Sequence, residues 1–158
     1  PIAAIAVLAG LHFRSVGVAM LAPFLAMLIS DFSLLGYSHF GVMLTVYGAM
    51  MAPAMIGARW RAKPTSSRTA WLGRAAFGGV APATLFFVAT NFAVWCFQSD
   101  YPTTAAGLVN CYVNALPFYR QMLAGDLVFV PLMLGAAWLS GVSMARLADQ
   151  PAVVRATR

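Results

Sequence analysis

The chain has 158 residues, of which 61% are hydrophobic and only 9% are charged, and its formal net charge is +6. A soluble domain carries about 25% charged residues, so water cannot be the solvent for most of this surface. The positive charge alone could suggest nucleic acid. Basic residues beside long apolar stretches more often hold membrane topology and face anionic lipid, so we predict no nucleic-acid partner.

Long uncharged stretches separate the few charges. They cover residues 15–30, 32–58, 75–99 and 127–145, and each can cover most or all of a hydrocarbon core that takes about 20 helical residues to cross. Only helices and closed barrels satisfy the backbone in lipid, and residues 81–97 lack the alternation of barrel strands. We therefore predict an all-α fold, a polytopic transmembrane helical bundle. It forms one domain over residues 1–147, with a basic cytoplasmic tail over 148–158.

Six helices are predicted, over residues 1–13, 16–32, 41–58, 75–97, 103–116 and 121–145. The fifth is expected to end before Pro117, because the residue ahead of a proline avoids helical geometry. Five of the six are expected to span the membrane. The first is short for a span and the chain does not begin with Met, so we expect further residues upstream of Pro1.

The basic residues predict the orientation. Five of them lie between Arg59 and Arg74, which places that loop in the cytoplasm. The arginines of the tail prefer the same side, and this requires only one further crossing after Asp100. Helix 103–116 is then a short outer-side or re-entrant helix, with Arg120 as the single exception. If helix 103–116 crosses fully, Arg120 moves inside and the tail moves outside, so fewer basic residues are cytoplasmic.

Helix 103–116 carries a polar stripe. Thr103, Gly107, Asn110 and Asn114 recur at helical spacing and continue towards Gln121. Asn is costly in hydrocarbon, so this stripe should face protein or a water-filled cavity. Hydrogen bonding between helices and lining of a cavity both remain open. Small residues four apart, such as Ala6 with Gly10 and Ala75 with Gly79, predict close helix packing.

The polar residues of the apolar zone are expected to gather at the outer end, and ionisable residues in membrane helices are candidates for function. The tentative ligand-binding residues are Asp31, Asn91, Trp95, Asp100, Asn110, Asn114, Arg120 and Asp126. Asp126 is expected at the outer start of the last helix. Helix capping, or a pair between Arg120 and Asp126, is the structural alternative to ligand contact.

No catalytic or metal-binding motif stands out. Cys96 and Cys111 have no metal-site spacing, and the chain has no phosphate-binding glycine loop. We predict that the chain is not an enzyme and has neither catalytic nor metal-binding residues. The sequence leaves any cofactor unknown.

Three segments carry a resemblance to a known family: PIAAIAVLAG, LAPFLAMLISDF and TNFAVWCFQSDYPTTAAGLVNCYVNALPFYRQMLAGDLVF. They resemble a family of small bacterial membrane proteins of unknown function, which looks related to the substrate-binding (S) components of energy-coupling factor transporters. The residues that carry the match are Asp31, Asn91, Trp95, Tyr101, Pro102, Gly107, Tyr112, Pro117, Arg120, Gly125 and Asp126. The resemblance implies an additional upstream helix, a multi-pass protein of the bacterial inner membrane and a fold close to that of the six-helix S components. Such components bind a vitamin or metal ion from outside, while a coupling protein and two ATPases supply the energy.

Two functions follow as hypotheses. The first is a small-molecule or metal-ion binding component of an uptake transporter, with a polar site at its outer end. The alternative is a non-catalytic accessory subunit of a larger respiratory or photosynthetic membrane complex. The expected partners are the lipid bilayer and other membrane protein subunits. A binding component needs a concave pocket, whereas an accessory subunit needs a face that other chains cover.

Overall fold

A computed structural model describes residues 2–33, 39–63, 65 and 67–139. The regular structure of these residues is helical, in five elements: α1 (Ile2–His12), α2 (Val16–Ser33), α3 (Phe40–Ala62), α4 (Arg68–Phe97) and α5 (Ala105–Leu139). The tail predicted over 148–158, and the part of the predicted last helix beyond residue 139, lie outside the described residues.

Within the described part of the chain, three helices are long and apolar enough to cross a membrane, namely α3, α4 and α5, whereas α1 and α2 are shorter apolar helices. All five helices expose large apolar side chains, including Ile5, Leu21, Leu44, Phe92 and Leu132. A water-soluble monomer rarely exposes apolar surface on this scale. The structure therefore supports an all-helical membrane protein, while the predicted count of five spans stays a prediction.

The predicted break before Pro117 is wrong. Helix α5 runs without interruption over 35 residues and contains both Pro117 and Pro131, so no separate short helix covers residues 103–116. Proline removes one backbone hydrogen bond, but membrane helices tolerate it where neighbouring groups compensate. Contacts with α4 hold α5 on both sides of Pro117: Tyr112 Oη donates to the Val88 carbonyl at 2.7 Å, and Tyr119 Oη lies 3.0 Å from Thr84 Oγ1.

Small residues bring the helices close together, as predicted. Gly10 on α1 and Gly57 on α3 lie against each other's helix backbone. On α4, Ala75 and Ala83 are 4% and 0% exposed and lie on the inner face. The core is consequently built mainly from alanine, glycine and valine, with Leu11 and Leu134 among its few larger side chains, while many other large apolar side chains point outwards.

The two ends of the bundle differ in charge. At one end Arg61 donates to the carbonyls of Gly10 and Arg14, and Arg74 donates to the carbonyls of Trp60 and Lys63. These bonds tie the ends of α1 and α3 and the start of α4 together, and we call this the basic end. Residues 98–104 form the turn between α4 and α5 at the opposite end, which we call the hairpin end.

Candidate functional site

Five of the eight predicted site residues lie near the hairpin end: Asn91, Trp95, Asp100, Asn110 and Asn114. Several of their polar groups bond within the hairpin. Trp95 Nε1 donates to the Pro102 carbonyl at 3.0 Å, and Asn114 Nδ2 donates to Tyr101 Oη at 3.3 Å. The Asn91 amide donates to the Phe87 carbonyl of its own helix at 2.7 Å. Asp100 and Asn110 are exposed. The structure thus brings these residues to one end, where their bonds stabilise a turn.

Asp31 lies on a different pair of helices. Its Oδ2 accepts a hydrogen bond of 2.6 Å from Tyr47 Oη, which links the end of α2 to α3. The ring of Tyr47 also packs edge-on against Phe24 of α2. Tyr47 was not among the predicted residues, because a tyrosine in an apolar stretch gives no signal of its partner.

Arg120 and Asp126 do not occupy the predicted positions. Asp126 lies well inside α5, so its assignment to the outer start of a helix is wrong. It is 6% exposed, whereas Arg120 is exposed on another face of the same helix. No ion pair joins these two described residues, because a separation of six positions turns their side chains to different sides.

Asp126 borders a half-open cavity between four of the helices. The cavity has a volume of about 160 Å³, and its lining comes from α1, α3, α4 and α5: Ile2, Ala3, Ala49, Met50, Pro53, Pro82, Phe86, Met122 and Asp126. Asp126 supplies the one polar side chain among these nine residues. No described residue donates a hydrogen bond to its carboxylate. Of the eight predicted site residues, Asp126 alone lines the cavity.

Glycines on α4 set the position of Asp126. A methyl group added at Gly79 would lie 3.2 Å from Leu127 Cα and 3.3 Å from the Asp126 carbonyl oxygen. A methyl group added at Gly78 would meet Val130 at 3.0 Å. Because both positions lack a side chain, α5 approaches α4 closely and turns the Asp126 side chain towards the cavity.

Two helix-interior prolines also line the cavity, although neither was among the predicted site residues. Pro53 lies inside α3 and Pro82 inside α4, and both are buried. Neither nitrogen can donate to the carbonyl four residues earlier, which is Ala49 for Pro53. Ala49 is itself a lining residue. Prolines inside two uncharged stretches were the available signal, since interrupted membrane helices often mark binding sites.

Potential metal ligands are scattered among the described residues. No three His, Cys, Asp or Glu side chains come together among them, and Cys96 and Cys111 are free thiols. Hard cations such as Ca²⁺ take six or more oxygen ligands. A cavity with one carboxylate and an otherwise apolar wall suits an organic ligand better.

A protein-family model described as a family of unknown function (DUF6580) matches residues 1–148. No curated protein and no solved structure matches the chain. The match supports the expected membership of an uncharacterised family. The further likeness to transporter S components stays a prediction.

Proposed function

The chain belongs to DUF6580, a family of unknown function, and we propose that it binds a small organic cation in the cavity beside Asp126. In this proposal Asp126 pairs with the ammonium group of the ligand, and the protein is the binding component of an uptake transporter in the bacterial inner membrane.

One observation carries the proposal: a buried carboxylate borders an apolar cavity and has no partner among the described residues. An isolated ionised carboxylate is very costly in a low-dielectric interior, so such groups are neutralised or paired. Acids inside membrane bundles therefore mark ligand sites and proton paths. A cationic ligand would supply the missing partner of Asp126.

The cavity limits the size and the shape of the ligand. Its volume of about 160 Å³ is close to that of an engineered cavity of about 150 Å³ that accepts benzene. Proline, methionine and phenylalanine side chains surround the space around the carboxylate. The ligand that fits is an ammonium ion with an apolar group of benzene size, rather than a large vitamin.

Binding to Asp126 can be tested with simple ammonium compounds. The full-length protein in lipid nanodiscs would be titrated calorimetrically with benzylammonium, cyclohexylammonium and hexylammonium, and with benzyl alcohol as the neutral analogue. We expect an ammonium compound to bind and Asp126→Asn to weaken it about 10- to 100-fold. This range follows from about 1.5–3 kcal/mol for a hydrogen bond to a charged group.

Asp100→Asn is the matched control, because Asp100 is an exposed acid at the hairpin end. It should leave the affinity unchanged. Equal losses in the two variants, or no binding by any ammonium compound, would contradict the proposal. The accessory-subunit hypothesis would then be favoured if the protein also purified with other membrane subunits in a fixed ratio.

A further inference from the structure

Helix α5 presents a second polar feature on the face turned away from α4. Six residues follow one another in alternating steps of four and three: Asn110, Asn114, Pro117, Gln121, Ala124 and Val128. All six are exposed. This spacing is the a/d repeat by which two parallel helices pack, and we call these six residues the α5 seam.

The amides of the α5 seam are poorly satisfied within this chain. Among the described residues, Asn110 and Gln121 make no side-chain hydrogen bond. Asn114 donates one long bond to Tyr101, which leaves its second N–H and its oxygen. Lipid tails offer no hydrogen bonds, so a row of amides on a spanning helix needs protein on its other side. The exposed apolar residues beside the seam, such as Val109 and Leu116, have no such need.

We propose that the α5 seam packs against the same seam of a second copy of this chain. Two copies inserted in the same orientation are related by a two-fold axis along the membrane normal, so their α5 helices run parallel. Each seam residue then meets its own counterpart. Asn and Gln suit this arrangement because each amide carries both donors and an acceptor.

The residues beside the α5 seam fit the same partner. In a parallel pair, Arg120 of one copy lies opposite Gly125 of the other, since the two positions flank the seam five residues apart. A side chain added at Gly125 would meet nothing within 4 Å in the single chain. This notch leaves room for the guanidinium of Arg120, which would otherwise lie on the outside of a membrane helix.

Site-specific cross-linking tests the interface in native membranes. In a full-length chain with Cys96→Ser and Cys111→Ala, single cysteines would be placed at Asn114 and Ala124 in the seam. Comparison cysteines at Val109 and Leu116 would lie on the same helix but off the seam, and both positions are exposed. Mild oxidation should give a covalent dimer at the seam positions, at least 5-fold more than at Val109 or Leu116. Equal yields at the two pairs of positions would refute the proposal.

A second variant tests whether the side-chain amides of the α5 seam are needed for dimer formation. Asn110→Leu with Gln121→Leu replaces both unsatisfied amides by residues suited to lipid, so the chain should still insert. We expect wild-type particles to photobleach in two steps in nanodiscs, and the double variant mainly in one. A wild-type protein that is monomeric, or a seam cysteine that cross-links to a different polypeptide and not to itself, would overturn the proposal.

Discussion

At the scale of single residues, the closest helix contact depends on two glycines. Gly57 of α3 lies against the Val7 carbonyl of α1, and Gly10 of α1 lies against the Ala54 carbonyl of α3. Each contact is with backbone, which cannot swing aside as a flexible side chain can. The small residues are therefore a condition for α1 and α3 to pack, as in other membrane helix pairs.

Gly57→Ala should destabilise the protein clearly. The new methyl group would collide with the α1 backbone, and overpacking of this kind costs about 1–3 kcal/mol. Thermal unfolding in detergent would measure the loss. Gly48→Ala on the same helix is the control, because a methyl group there meets nothing within 4 Å. A Gly57→Ala protein as stable as Gly48→Ala would show that α1 and α3 do not approach this closely.

At the scale of elements, the α4–α5 hairpin depends on a short network of bonds. The Pro102 carbonyl accepts hydrogen bonds from Trp95 Nε1 and from the Thr104 backbone N–H. Thr104 Oγ1 then accepts the backbone N–H of Gly107 at 3.1 Å, which caps the start of α5. Trp95, which the sequence marked as a candidate ligand-binding residue, thus stabilises this turn.

Thr104→Ala should weaken the hairpin, whereas Thr103→Ala should not. Loss of a cap costs about 0.5–2 kcal/mol, because a backbone N–H at the helix start loses its acceptor. Among the described residues the Thr103 side chain makes no hydrogen bond, so this neighbouring threonine is the matched control. Chemical unfolding of the two variants in the same detergent would compare them, and equal stabilities would rule out the cap.

Helix α5 also shows that a local sequence preference can be overridden by contacts between distant residues. A proline at position 117 favoured a break, yet the helix continues. The sequence contains the aromatic residues that hold it, Tyr112 and Tyr119. Phe87 of α4 packs against both rings, with centroids at 5.3 and 4.6 Å. Such contacts between distant residues outweigh the local preference before a proline, and a sequence does not reveal which residues will meet.

At the scale of the whole molecule, the basic residues of the described helices gather at one end, as predicted, whereas Asp126, which was predicted at the opposite end, lies well inside α5. Arg14, the basic residues that end α3 and those that begin α4 share the basic end, and the α4–α5 turn lies at the other. Arg61 and Arg74 do more than mark orientation, because their guanidinium groups satisfy backbone carbonyls at the helix ends. The predicted cytoplasmic position of the basic end remains to be measured.

Cysteine labelling would determine that orientation. In a chain with Cys96→Ser and Cys111→Ala, single cysteines would replace Ser67 at the basic end and Thr103 at the hairpin end, both of which are exposed. In intact cells a membrane-impermeant maleimide should label Thr103→Cys readily. It should label Ser67→Cys only after permeabilisation, because five basic residues hold that loop inside. The reverse pattern would invert the topology, and labelling of both from outside would contradict α4 as a span.

The sequence by itself determined that long stretches of the chain prefer lipid to water, that the chain is helical, and that its basic residues lie between those stretches. These properties depend on local windows: a long uncharged stretch prefers lipid, lipid requires a closed hydrogen-bonded backbone, and basic loops resist crossing. Only the tertiary structure decided that Asp126 faces a cavity between the helices while Asn110 and Gln121 face outwards. The rotation of α5 about its own axis is set by its contacts with α4. Those contacts depend on Gly78 and Gly79 lacking side chains, at positions almost 50 residues away in the chain.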